Sequence, residues 1–88
     1  MRIWKYVLNF EREQLVTMPS ISEIMDIQMQ RGVPVMWALV DPSAEEIEVR
    51  IVVHGTGYDI DEVPYRNEYL GTVQDGDLVW HFFMSSEG

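Results

Sequence analysis

The stretch Glu46-Ile47-Glu48-Val49-Arg50-Ile51-Val52-Val53 decides the fold. Ile47, Val49, Ile51 and Val53 alternate with Glu46, Glu48, Arg50 and Val52, the period-two pattern of a strand with one face in a core and the other toward solvent. The turn-forming run Asp41-Pro42-Ser43-Ala44 precedes it and Gly55-Thr56-Gly57 ends it. Upstream, Ile3 to Phe10 places Trp4, Tyr6, Leu8 and Phe10 on one face and Ile3, Lys5, Val7 and Asn9 on the other, a second strand. Leu15-Val16-Thr17-Met18 forms a short strand that Pro19 closes, and the polar run Glu11 to Gln14 lets these first two strands pair as a hairpin. Ser20-Ile21-Ser22-Glu23 matches a helix capping box. The residues after it argue for a turn instead, because Met25, Ile27 and Met29 alternate with Asp26, Gln28 and Gln30.

Arg31-Gly32-Val33-Pro34 reads as a tight reversal into Val35 to Val40, which is apolar on both faces as a central strand is. Tyr69 to Val73 and Leu78 to Met84 form a last hairpin across Gln74-Asp75-Gly76-Asp77, where Asp-Gly is a strong turn signal. The polar segment from Tyr58 to Glu68 is a long loop of the kind that carries function, and residues 85–88 read as a frayed end. Six or seven short strands with no helical period predict an all-β domain over residues 1–88, an antiparallel sandwich or open barrel.

Composition limits what such a domain can do. Apolar residues make up 47% of 88, with three Trp, four Tyr and three Phe, enough for one core. There is no cysteine, so neither a disulfide nor a thiolate metal site supports that core, and self-association into a homo-oligomer is expected. Fifteen acidic against six basic residues give a formal charge of −9, which disfavours direct nucleic-acid and anionic-membrane binding. No run approaches a membrane span, and Met1 to Tyr6 lacks the apolar stretch of a secretory signal, so the expected location is cytoplasmic.

No catalytic motif stands out. His54 and His81 are the two histidines, neither beside a nucleophile elbow, and no HxxxH or Ca²⁺-loop spacing is present. The sequence therefore predicts a non-enzyme with no metal and no cofactor. Gly55-Thr56-Gly57 invites a phosphate-loop reading, but lacks the Lys and the following helix of a P-loop, and a strand-ending turn is the plainer explanation. Asp41 to Glu62 holds seven carboxylates and one Arg. Such a run is usually solvated; as a functional surface it would dock Glu45, Glu46, Glu48, Asp59, Asp61 and Glu62 onto a basic partner. Arg50, inside it, is an ion-pair partner first and an anion reader second.

Ile3-Trp4-Lys5-Tyr6, Met18-Pro19, Gln28-Met29-Gln30, Trp37 to Pro42, Gly55-Thr56-Gly57, Leu70-Gly71-Thr72 and Leu78 to Phe83 together resemble a family of small, functionally uncharacterised bacteriophage and prophage proteins, across nearly the whole chain. In that family His and often Pro follow the Gly-Thr-Gly block; Tyr58 and Asp59 stand here instead. The resemblance implies a phage accessory protein acting in the infected bacterial host by stoichiometric binding, such as inhibition of a host defence. Two mechanisms follow. A nucleotide-like immune signal could be sequestered, with Arg50, Gly55, Thr56 and Gly57 meeting phosphate or ribose and Trp4, Tyr6 or Tyr58 stacking on a base. Alternatively the acidic residues bind a basic host defence protein, in the manner of a nucleic-acid mimic. A minor structural role is the third possibility. The sponge needs Arg2, Lys5, Arg31, Arg50 or Arg66 gathered locally, most easily by symmetry at a subunit interface, and a concave site with at least one Arg or Lys beside an aromatic.

Overall fold

The alternation from Glu46 onward does form a strand, and it lies at the centre of the larger of two sheets. The computed structural model describes residues 1–60 and 67–85. Among them are β1 (Arg2–Val7), β2 (Glu13–Pro19), β3 (Ser22–Gln30), β4 (Val33–Val40), β5 (Glu46–Gly55), β6 (Asn67–Asp75) and β7 (Leu78–Ser85), and no helix. A three-stranded sheet has the order β1-β4-β3 and a four-stranded sheet the order β2-β5-β7-β6, every pairing antiparallel. The sheets face each other as an open sandwich, not a closed barrel.

Inward-facing residues of both sheets make one core: Met36, Ala38 and Val40 from β4, Ile51 and Val53 from β5, Phe82 from β7 and Ile27 from β3. Phe82 is fully buried and is the largest such side chain. At the seam between the sheets β3 runs beside β6, with Gly71 packed against Ile27.

Three departures from the sequence reading have local causes. β1 and β2 do not form a hairpin; they belong to different sheets, β1 pairing with β4 and β2 with β5. Residues 8–12 carry the chain across the sandwich edge, tied by the Leu8 amide to the Pro34 carbonyl and the Val53 amide to the Arg12 carbonyl. Asn9 and Gln14 close this crossing with reciprocal backbone–side-chain hydrogen bonds of 3.0 and 2.9 Å.

Met25 does not share a face with Ile27 and Met29. A bulge between Ile24 and Asp26 inserts it as an extra residue, leaving it 55% exposed while Ile24 takes the inward position. Pro34 is not in the turn but inside β4, opposite Met29. In a strand a residue's N–H and C=O point to the same side, and the Pro34 carbonyl points to Leu8, just past the end of β1. The absent N–H thus falls at the end of the β1–β4 ladder, where it interrupts no interior bond. The reversal itself is the two-residue Arg31-Gly32, both with positive φ (53° and 83°), as a tight hairpin turn requires.

Candidate functional site

Gly55 to Tyr58 is a four-residue turn at the end of β5: the Tyr58 amide donates to the Gly55 carbonyl (3.1 Å), and Gly57 carries φ +85°. That left-handed third position is what the second glycine supplies. The first has a different purpose. A Cβ on Gly55 would lie 3.2 Å from Cζ3 of Trp80 and 3.4 Å from the Tyr58 ring, so its bare backbone lets both rings close over it. Tyr58 and Trp80 then meet edge to face, centroids 5.9 Å apart.

Phe10, brought in by the 8–12 crossing, extends this cluster, with its ring 5.3 Å from that of Trp80 and 6.3 Å from that of Phe82. Two adjoining clefts of about 220 Å³ share Gly55, Tyr58 and Trp80. One is bounded by Phe10, Arg12, His54 and Asp59, the other by Thr56, Asp77 and Leu78. Each is smaller than a typical whole-ligand pocket, and a ligand of nucleotide size would span both. An arginine beside three aromatic rings suits a planar group with an anionic end.

The Gly-Thr-Gly block is not itself an anion cradle. The amides of Thr56 and Tyr58 are spent on the Val79 and Gly55 carbonyls, and the Thr56 hydroxyl lies 2.6 Å from Nε2 of His81. That contact begins a chain across the outer face of the four-stranded sheet: Nδ1 of His81 is 2.9 Å from Oγ1 of Thr72, which is 2.5 Å from the Tyr69 hydroxyl. Both ring nitrogens are engaged by hydroxyls, which fixes the imidazole; among the described residues no carboxylate joins the chain. His54 lies directly opposite His81, 6% exposed, its ring 5.8 Å from that of Phe83.

The other sequence candidates are dispersed. Arg50 forms an ion pair with Glu13 and donates to Ser85 Oγ at 3.2 Å, five residues along β5 from Gly55. Trp4 and Tyr6 face inward from β1 and pack against the core. Burial, and secondarily the charge of Glu46, raise the Tyr6 hydroxyl pKa above its ordinary value. The acidic run is split by β5: exposed Glu45, Glu46 and Glu48 stand at its start and Asp59 beyond its end, roughly 30 Å away for a strand this long. Asp61, Glu62 and Arg66 lie outside the described residues. Among the described residues no three His, Asp or Glu side chains are placed to hold a metal.

A family model, described as a domain of unknown function (DUF7352), matches residues 1–88. The chain belongs to the DUF7352 family. No curated protein and no solved structure matches it. For this DUF7352 chain the site rests on its own geometry, and Phe10, Arg12 and Trp80 are the members that sequence reasoning missed. The one available signal was compositional: Phe10 is the one apolar residue in the run from Asn9 to Gln14.

Proposed function

We propose that the protein is a non-catalytic binding module that captures a small nucleotide-like molecule in the cleft at the end of β5. The base packs against Tyr58, Trp80 and Phe10 and the anionic group turns toward Arg12. The observation that carries this reading is the placement of Arg12 in one concave site with three aromatic rings. Stacking on aromatic faces tolerates any base and contributes about 1–3 kcal/mol per base, so a net charge of −9 is not prohibitive if most of the binding energy comes from the ring. Asp59 shares the cleft with Arg12 and Asp77 lines the adjoining one, so the site disfavours a multiply charged phosphate. Together with the resemblance to phage accessory proteins, a concave aromatic site that holds one arginine fits a sponge that withdraws an immune signal from the cytoplasm of an infected bacterium.

The second reading keeps one observation. Glu45, Glu46 and Glu48 are exposed together at the start of β5, a smaller acidic surface that could still dock a basic host defence protein. One experiment separates the two. Purified protein is incubated with a lysate of defence-activated cells, re-isolated, heated, and the released small molecules identified by mass spectrometry. A released nucleotide that Tyr58→Ala fails to capture supports the sponge. A co-purifying host protein with no released nucleotide refutes it in favour of acidic docking.

A further inference from the structure

The two outer faces of the sandwich differ in kind. That of the four-stranded sheet is mixed, presenting Glu48, Arg50, Thr72 and His81 together with the apolar Leu15, Val52 and Phe83. That of the three-stranded sheet is built on β4, whose outward residues are all apolar, Val33 exposed, Trp37 and Leu39 half-buried and Val35 buried where Lys5 reaches across to Gln30, with Ile3 and Val7 flanking them on β1. Ile3 is 57% exposed and Val7 65%. A solvent-facing antiparallel sheet normally alternates to polar residues on this side, and a contiguous apolar face marks an interaction surface.

We propose that this face docks a second copy of the chain, related by a two-fold axis running along β4. The pairing registers carry the choice of occupant. Lys5 on one rim and Asp26 on the other both lie level with Trp37. A two-fold along β4 keeps each level and exchanges the rims, so Lys5 of each copy comes over Asp26 of the other, twice per dimer, while the two Trp37 side chains meet at the centre. Val7 and Ile3 then cover the stems of Gln28 and Glu23, which share their levels. Opposite charges at one level on opposite rims are self-complementary: among the described residues Lys5 donates to the neutral Gln30 amide (2.9 Å) and Asp26 accepts from that of Gln28 (2.7 Å), so the charge pairing itself is left to a second copy.

Three strands about 4.8 Å apart and eight residues long give a face of roughly 14 by 26 Å. Both faces together offer about 700 Å², below the standard size of a specific interface, so the dimer is weak and dissociates on dilution. Sedimentation equilibrium across a concentration series tests this. The wild-type chain is expected to pass from monomer to dimer in the micromolar range, and Ile3→Glu or Val7→Glu, at exposed edge positions, to remain folded by circular dichroism but monomeric. Lys5→Asp and Asp26→Lys each weaken the dimer about tenfold or more by placing like charges together, and the double variant restores it. A monomer at every concentration, as expected if the face serves a different protein, overturns the proposal. So does a dimer indifferent to Ile3→Glu, or a double variant no better than either single one.

Discussion

Gly55→Ala probes the region where fold and site meet. The new methyl would sit 3.2 Å from Cζ3 of Trp80 and 3.4 Å from the Tyr58 ring, a few tenths of an ångström inside the carbon–carbon optimum of about 3.5–4.0 Å. Trp80 has little room to yield, because Phe10 packs on it and the core lies behind. Overpacking of this kind costs about 1–3 kcal/mol, and the smaller conformational freedom of alanine in the unfolded chain returns about 0.4–1 kcal/mol. A net loss of about 1 kcal/mol lowers Tm by about 4–8 °C for a domain of this size. Gly57→Ala is the control: no atom lies within 4 Å, so its cost, also about 1 kcal/mol, comes from φ +85° alone. Thermal unfolding followed by near-ultraviolet circular dichroism distinguishes them, since only Gly55→Ala should alter the native aromatic signal. If Gly55→Ala matches the wild type in both Tm and aromatic signal, the packing role of Gly55 is refuted.

Arg50→Ala should leave ligand capture intact and reduce stability modestly; with side chains 26% and 53% exposed, a double-mutant cycle with Glu13→Gln should give a coupling below about 1 kcal/mol. Tyr6→Phe removes a buried hydroxyl that has no hydrogen-bond partner among the described residues and should stabilise by about 1 kcal/mol in urea unfolding; because burial raises the Tyr6 pKa, it should also lessen the stability lost as pH rises above the ordinary tyrosine value. Hydrogen bonds from the Ser43 hydroxyl and amide hold the Asp41 carboxyl below its usual pKa. That carboxylate therefore favours folding above its unfolded pKa and loses the contribution as pH falls through the lower folded value; Ser43→Ala should move the Asp41 titration, followed by NMR, upward.

What was legible in the sequence is what depends on neighbours along the chain. The period-two run of β5, the Asp75-Gly76 reversal and the all-β class each follow from local alternation and turn chemistry. Strand partners are not local: β1 and β2 adjoin in sequence yet pair in different sheets, because residues 8–12 bridge the sandwich edge. One inserted residue at Met25 shifted the face assignment in the first half of β3, and alternation alone carries no mark of a bulge. Arg50 was recognisable as an ion-pair arginine, but its partner Glu13 lies on another strand. The cleft was half visible. Gly55 to Tyr58 stood out for its glycines, whereas Phe10 and Arg12 reach it only through the crossing, and Trp80 resembled any core aromatic until Gly55 opened a side of it.

The three tryptophans occupy three separate places: Trp4 in the core, Trp37 on the outer face of the three-stranded sheet, and Trp80 in the cleft. Their indole N–H signals in a ¹⁵N-labelled sample, titrated with adenine and guanine mononucleotides, cyclic dinucleotides and ADP-ribose, test the proposed capture site most directly. Capture in the cleft requires saturable movement of the Trp80 signal with at least one of these, Trp4 and Trp37 staying in place. Saturable binding that leaves Trp80 unmoved, or no binding across the series, would contradict it.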